Sequence, residues 1–131
     1  MISKPDLTEN EIAAIVVNIC FHIHTTLGPG LLESVYEEIL CFELRKSGLS
    51  VERQKTIPVV WSGIKMDLGF RSDLIIEDKV IIEIKSVETI APVHPKQLLT
   101  YLKLTKMKLG LLINFNVPLI KNGITRIVNG L

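Results

Sequence analysis

Asp73-Leu-Ile-Ile-Glu-Asp-Lys-Val80-Ile-Ile-Glu83-Ile-Lys85 contains two short apolar runs on either side of a polar Glu77-Asp78-Lys79. Runs of this length, rich in isoleucine and broken by a charged turn, predict two strands joined as a hairpin. In Val80–Lys85 apolar residues occupy both parities, the pattern of a strand covered on both faces. Charge in such a strand is costly, yet Glu83 and Lys85 stand there, two apart and so on one face. A hairpin centred near Asp78 sets Asp73 opposite Glu83 to within one position, with Cβ atoms about 5 Å apart. Two ionised carboxylates at that separation repel by about 3 kcal/mol at an effective dielectric near 20. Lys85 offsets part of this, and a shared divalent cation offsets more. Oxygen-only ligands point to Mg²⁺ or Mn²⁺ rather than zinc. The alternative from the same residues is an in-strand Glu83–Lys85 salt bridge, with Asp73 capping a turn.

Upstream of this hairpin the pattern is helical. After a loose start over residues 1–7, Thr8 and Glu11 form a capping box. Ile12, Ile15, Val16, Ile19 and Ile23 follow at helical spacing. Leu27-Gly28-Pro29-Gly30 ends this helix and opens a second one, which runs to Gly48 as a C′ glycine. Residues 8–48 therefore read as a helix pair. Residues 49–131 read as a sheet plus one helix. Strands are predicted over Val51–Trp61, Ile64–Phe70, Asp73–Ile76 and Val80–Val87. A helix over Gln97–Met107 follows, then strands over Leu111–Phe115 and Ile124–Val128, the last after an Asn122-Gly123 turn. The order α-α-β-β-β-β-α-β-β predicts one α/β domain spanning 1–131, a mixed sheet with helices packed on it.

Composition narrows the function classes. The 131 residues, 47 % apolar and 22 % charged, describe a globular chain of ordinary domain size. Cys20 and Cys41 lie in apolar helical patterns and are too few for a disulfide scaffold or thiolate cluster. The apolar stretch from Ile12 to Ile23 is too short to span a bilayer, and no signal peptide opens the sequence, so a cytoplasmic location is expected. Residues 1–50 carry three Lys/Arg against seven Asp/Glu; residues 51–131 carry twelve against seven. A basic C-terminal portion suits a phosphate-backbone binder, and solvated lysines are the other reading. The mean hydropathy of +0.37 is high for a small domain and leads to the expectation of a homodimer.

Gly30-Leu-Leu-Glu33-Ser-Val-Tyr36 matches a GxxExxY signature, and residues Leu27 to Glu37 resemble the family named after it. That family is placed in the PD-(D/E)xK nuclease superfamily. Gly69-Phe-Arg-Ser-Asp73, Glu83-Ile-Lys85 and Gln97-Leu-Leu-Thr-Tyr101 resemble, in order, the D…ExK…QxxxY series of RecB-like nucleases. The resemblance implies a restriction-endonuclease-like core and a Mg²⁺-dependent nuclease, with Mn²⁺ as substitute, cutting DNA or less readily RNA. Asp73 and Glu83 would ligate the metal, helped by the backbone carbonyl of Ile84. Lys85 would orient the attacking water, and Glu33 matches a helical carboxylate brought toward the metal. Gln97, Tyr101 and Tyr36 would line the cleft.

Alternatives stand beside these roles. Glu33 reads equally as a surface residue of a helix that also carries Glu37 and Glu38. Tyr36 reads as a packing residue with a tethered hydroxyl, and His24 as a capping or core histidine. His22 and His94 carry no assigned role. The rival for the whole chain is a catalytically silent module that keeps the fold and binds nucleic acid or protein.

Overall fold

A computed structural model describes residues 6–131; the first five residues of the expected loose start lie outside it. Helix α1 spans Glu9–Leu27, and Thr8 and Glu11 close the capping box reciprocally at 3.0 and 3.1 Å. Its Ile12, Val16, Cys20 and Ile23 are buried. Helix α2 spans Glu33–Lys46 and lays Tyr36, Leu40, Cys41 and Leu44 into the same core. Beyond α2, Gly48 takes a φ of 88°, and Leu49 N–H donates back to Leu44 O at 3.2 Å. This left-handed turn suits glycine and closes the helix as a Schellman motif.

Among the described residues five strands form one sheet in sequence order: β1 Val51–Trp61, β2 Ile64–Ile76, β3 Val80–Lys85, β4 Leu109–Asn114 and β5 Ile124–Val128. Of these, β3 and β4 pair in parallel and the other neighbours antiparallel, and α3 (Val93–Thr105) crosses between β3 and β4. A parallel neighbour requires such a crossover. Helices α1 and α2 cover one face over Leu74, Ile76, Ile82, Ile84, Leu111 and Ile113. Helix α3 covers the other over Ile75, Ile81 and Leu112. Strand β3 is thus covered on both faces, which accounts for its apolar residues at both parities.

Two elements differ from the expectation. The separate strands predicted over 64–70 and 73–76 are one strand, because β1 offers pairing partners through the interval, Thr56 to Arg71 and Lys55 to Ser72. Within it Gly69 is needed for close approach, since a Cβ there would lie 2.4 Å from Ile57 O. Helix α3 begins at Val93, four residues before the predicted start. Pro95 falls in its first turn, where the missing N–H has no intrahelical partner to lose.

Candidate active site

The hydrogen-bonded ladder between β2 and β3 stops at Leu74–Ile82. The next pair in that register is Asp73 with Glu83. Here the strands part, and Ile84 N–H, which would continue the ladder, donates instead to Asp73 Oδ2 at 2.7 Å. The N–H and C=O of one strand residue leave on the same side, so the carbonyl of Ile84 also faces the Asp73 side. Asp73 Oδ1 accepts from Gln54 Nε2 at 3.3 Å.

Glu83 extends from β3 on the α3 face and is half-buried, and its buried Oε1 has no hydrogen-bond partner. Burial pushes its carboxyl up to about 9, and the adjacent Asp73 charge and carboxyl contact push the same way. Lys85 and the backbone work against this shift without cancelling it. The repulsion anticipated from sequence therefore favours the protonated form of Glu83. Lys85 belongs to none of the ion pairs among the described residues, which are Arg53–Glu37, Lys55–Glu52 and Lys79–Asp6. The simple Glu83–Lys85 salt bridge is absent.

Across the cleft, α3 supplies Tyr101, whose ring stacks on Phe70 with centroids 3.6 Å apart. Its phenol is held above its ordinary range by burial first and then by the charges of Glu83 and Asp73. Gln97 lies one turn earlier on α3, exposed. Still nearer the helix start, His94 has a buried Nδ1 without a partner. Glu83 Oε1 and His94 Nδ1 are the two such side-chain atoms among the described residues. Buried polar atoms are normally paired, so an unpartnered carboxyl oxygen beside a second carboxylate and a strand carbonyl fits a hard cation. Two carboxylates and one carbonyl are the donors at hand, because no group of three or more His, Cys, Asp or Glu gathers among the described residues.

Other residues singled out in the sequence lie elsewhere. Glu33 is exposed, and its Oε2 accepts from Ser86 N–H at 3.1 Å while Ser86 Oγ donates to Leu31 O at 2.6 Å. It latches the start of α2 to the end of β3. Tyr36 does not line the cleft. It is fully buried on the α1/α2 face, stacked on Phe115 at 4.2 Å, and its hydroxyl donates to Gly28 O at 2.6 Å. The reason is spacing: Tyr36, Leu40 and Leu44 share the stripe of α2 that meets the core. His24 contacts Val117 O through Nε2 at 2.8 Å and ties α1 to the segment after β4.

Sequence reasoning missed Glu37. This carboxylate is 5 % exposed, accepts from Arg53 Nε and from Gln54 Nε2, each at 2.6 Å, and so joins α2 to the bond that reaches Asp73. The signal was available, since Glu37 lies three and seven residues before Leu40 and Leu44 on the buried stripe.

The fold is shared with known proteins. The crystal structure of SSO0001 superposes with a TM-score of 0.55 at 24 % identity, over 76 % of this chain. The chain spans about half of that protein, 51 % of its length. The alkaline exonuclease LHK-Exo from Laribacter hongkongensis superposes with a TM-score of 0.51 at 15 % identity, over 95 % of this chain and 72 % of its own. At these identities the likeness is one of fold. No curated protein sequence matches significantly. A family model described as PD-(D/E)XK nuclease superfamily matches residues 10–127, a span that holds the parted β2–β3 hairpin and the α3 residues facing it, and the chain accordingly belongs to the PD-(D/E)XK nuclease superfamily.

Proposed function

We propose that this chain is a divalent-metal-dependent nuclease that hydrolyses phosphodiester bonds in DNA, with RNA the less favoured substrate. The reading includes Mg²⁺ as the ion, Mn²⁺ as its substitute, a place in the GxxExxY branch, and action in the cytoplasm as a single-domain homodimer. The observation that carries it is the opposition of Asp73 and Glu83, with Glu83 Oε1 buried and unpartnered and Lys85 outside the ion pairs among the described residues. Membership of the nuclease superfamily and the fold shared with an alkaline exonuclease support it.

Asp73, Glu83 and the Ile84 carbonyl would hold the ion. When bound, a divalent cation withdraws charge from the phosphoryl oxygen and makes water a better nucleophile near neutral pH. Glu83 must release its carboxyl proton for the site to load, and Asp73 stays oriented by the Ile84 N–H. Lys85, two residues along the same face, brings a positive charge that steadies charge developing on the phosphate and orients the attacking water. Tyr101 and Gln97 line the opposite wall and act as hydrogen-bond donors to the phosphate backbone. Glu33 serves the site by fixing the end of β3 through Ser86 N–H.

The test is cleavage of single-stranded, duplex and branched DNA, and of RNA, in Mg²⁺, Mn²⁺ and EDTA, beside Glu83→Ala. Metal-dependent products in the wild type that disappear in Glu83→Ala are expected. A protein that binds DNA yet cuts none of these substrates in either metal would be the silent module instead.

A further inference from the structure

Gln54 is out of place in a strand. Its φ is 54°, a left-handed conformation that is strained for a residue other than glycine and persists where the surroundings enforce it. Pairing continues on both sides, Arg53 with Leu74 and Lys55 with Ser72, but the intervening position, Gln54 opposite Asp73, is unpaired. The strands turn over at this point. Val51 packs in the α1/α2 core and Ile57 in the α3 core, although residues six apart in a regular strand share a face. On β2, Phe70 and Ile75 are five apart and yet both lie on the α3 side. This break leaves the Asp73 carboxylate in the gap where Ile84 N–H is waiting.

From this arrangement we propose that Gln54 is a positioning residue for Asp73, and that buried Glu37 and its Arg53 partner set the orientation of the Gln54 amide. The proposal rests on the nuclease reading and deepens it. An ionised carboxylate only accepts hydrogen bonds, so the 2.6 Å contact with Glu37 Oε1 requires the NH₂ end of Gln54 to point inward. The second N–H of that group then reaches Asp73 Oδ1 at 3.3 Å. Asp73 is thereby gripped at both oxygens, by Gln54 at Oδ1 and by Ile84 N–H at Oδ2. Both donors are neutral, so they fix the plane of the carboxylate without neutralising the charge a cation requires. Arg53 Nε, 2.6 Å from Glu37 Oε2, balances the buried anion at the far end. The simpler alternative is that Glu37, Arg53 and Gln54 only staple α2 to β1.

Gln54→Gly and Gln54→Asn both tolerate a left-handed φ and both lose the reach to Asp73. Mn²⁺ is the probe, titrated calorimetrically and in the DNA cleavage assay. Outer contacts to metal ligands are typically worth about 10- to 100-fold in affinity, and a Kd raised by that factor is expected in both variants. The Mn²⁺ concentration for half-maximal cleavage should rise in parallel, while cleavage at saturating Mn²⁺ stays within a few fold of wild type. Glu37→Gln, whose amide can meet either end of Gln54, should shift the same midpoint by less. Variants that melt earlier but bind Mn²⁺ like wild type would overturn the proposal and leave the staple. A wild type that binds no Mn²⁺ would overturn the nuclease reading and this inference together. If Gln54→Gly does not fold, Gln54→Asn decides.

Discussion

Glu83→Gln tests the chemistry of the site without substrate. In the metal-free protein the Glu83 carboxyl is pushed from an ordinary 4.5 to about 9 by burial and by Asp73. Between those values the folded state holds a proton that the unfolded chain has released. Stability is therefore fully present below about pH 4.5, declines as pH rises, and its Glu83 share is gone once pH passes about 9. One proton per molecule changes stability by about 1.36 kcal/mol per pH unit, so the step from pH 5 to pH 8 should remove about 4 kcal/mol. That is a large part of the 5–15 kcal/mol typical of a folded domain. The assay is urea unfolding in EDTA across this range, followed by far-ultraviolet circular dichroism, because Trp61 is 73 % exposed and reports poorly on the core. Glu83→Gln keeps the shape but cannot titrate, and its unfolding free energy should lose this slope. Mn²⁺ should restore stability to the wild type most strongly at high pH, where the ligand is already ionised, and should do little for the variant. A wild-type curve flat between pH 5 and 8 in EDTA, or the same slope in Glu83→Gln, would refute the protonated Glu83.

Calorimetry with Mn²⁺ should detect binding in the wild type and none in Asp73→Ala or Glu83→Ala; equal binding in all three removes the assigned ligands. Tyr36→Phe leaves Gly28 O without its donor and should cost about 1–3 kcal/mol of stability with metal affinity unchanged, as measured by urea unfolding beside the Mn²⁺ titration. Gly69→Ala drives a Cβ against Ile57 O and should cost about 1–3 kcal/mol through overpacking, read from the same unfolding curves; no loss would show that the hairpin opens freely there. Met66 and Ile64 share a side of the β1–β2 hairpin with Leu68, and all three are exposed, Leu68 at 82 %. Light scattering at tens of micromolar should therefore report a dimer that Leu68→Ser and Ile64→Ser weaken, and a monomeric wild type would count against self-association.

What was legible in the sequence was set by periodicity and by the violation of periodicity. Ile12, Val16, Cys20 and Ile23 announce α1, and Thr8 with Glu11 announces where it begins, because these signals are local and the structure uses them locally. Glu83 and Lys85 stood out because charge in a strand covered on both faces requires a compensating partner, and a hairpin is short enough for its register to be counted. The same logic applied to α2 would have exposed Glu37, a charge on the stripe of Tyr36, Leu40 and Leu44; the neighbouring Glu33 drew attention by its motif instead. No local signal marks Gln54. Its left-handed φ arises from a break shared by two strands, and its partners lie 17 and 19 residues away. The merging of β2 into one strand was hidden for the same reason, since Arg71-Ser72 reads as a polar gap between two apolar runs until Thr56 and Lys55 lie opposite it. Motif reading named Asp73 and Glu83 as candidate ligands. Asp73 accepts from Ile84 N–H and from Gln54, a backbone group and an amide that motif reading did not single out. A site transplanted as Asp73, Glu83 and Lys85 alone would carry the charges without the two donors that hold Asp73 in place, and would bind its cation more weakly for that reason.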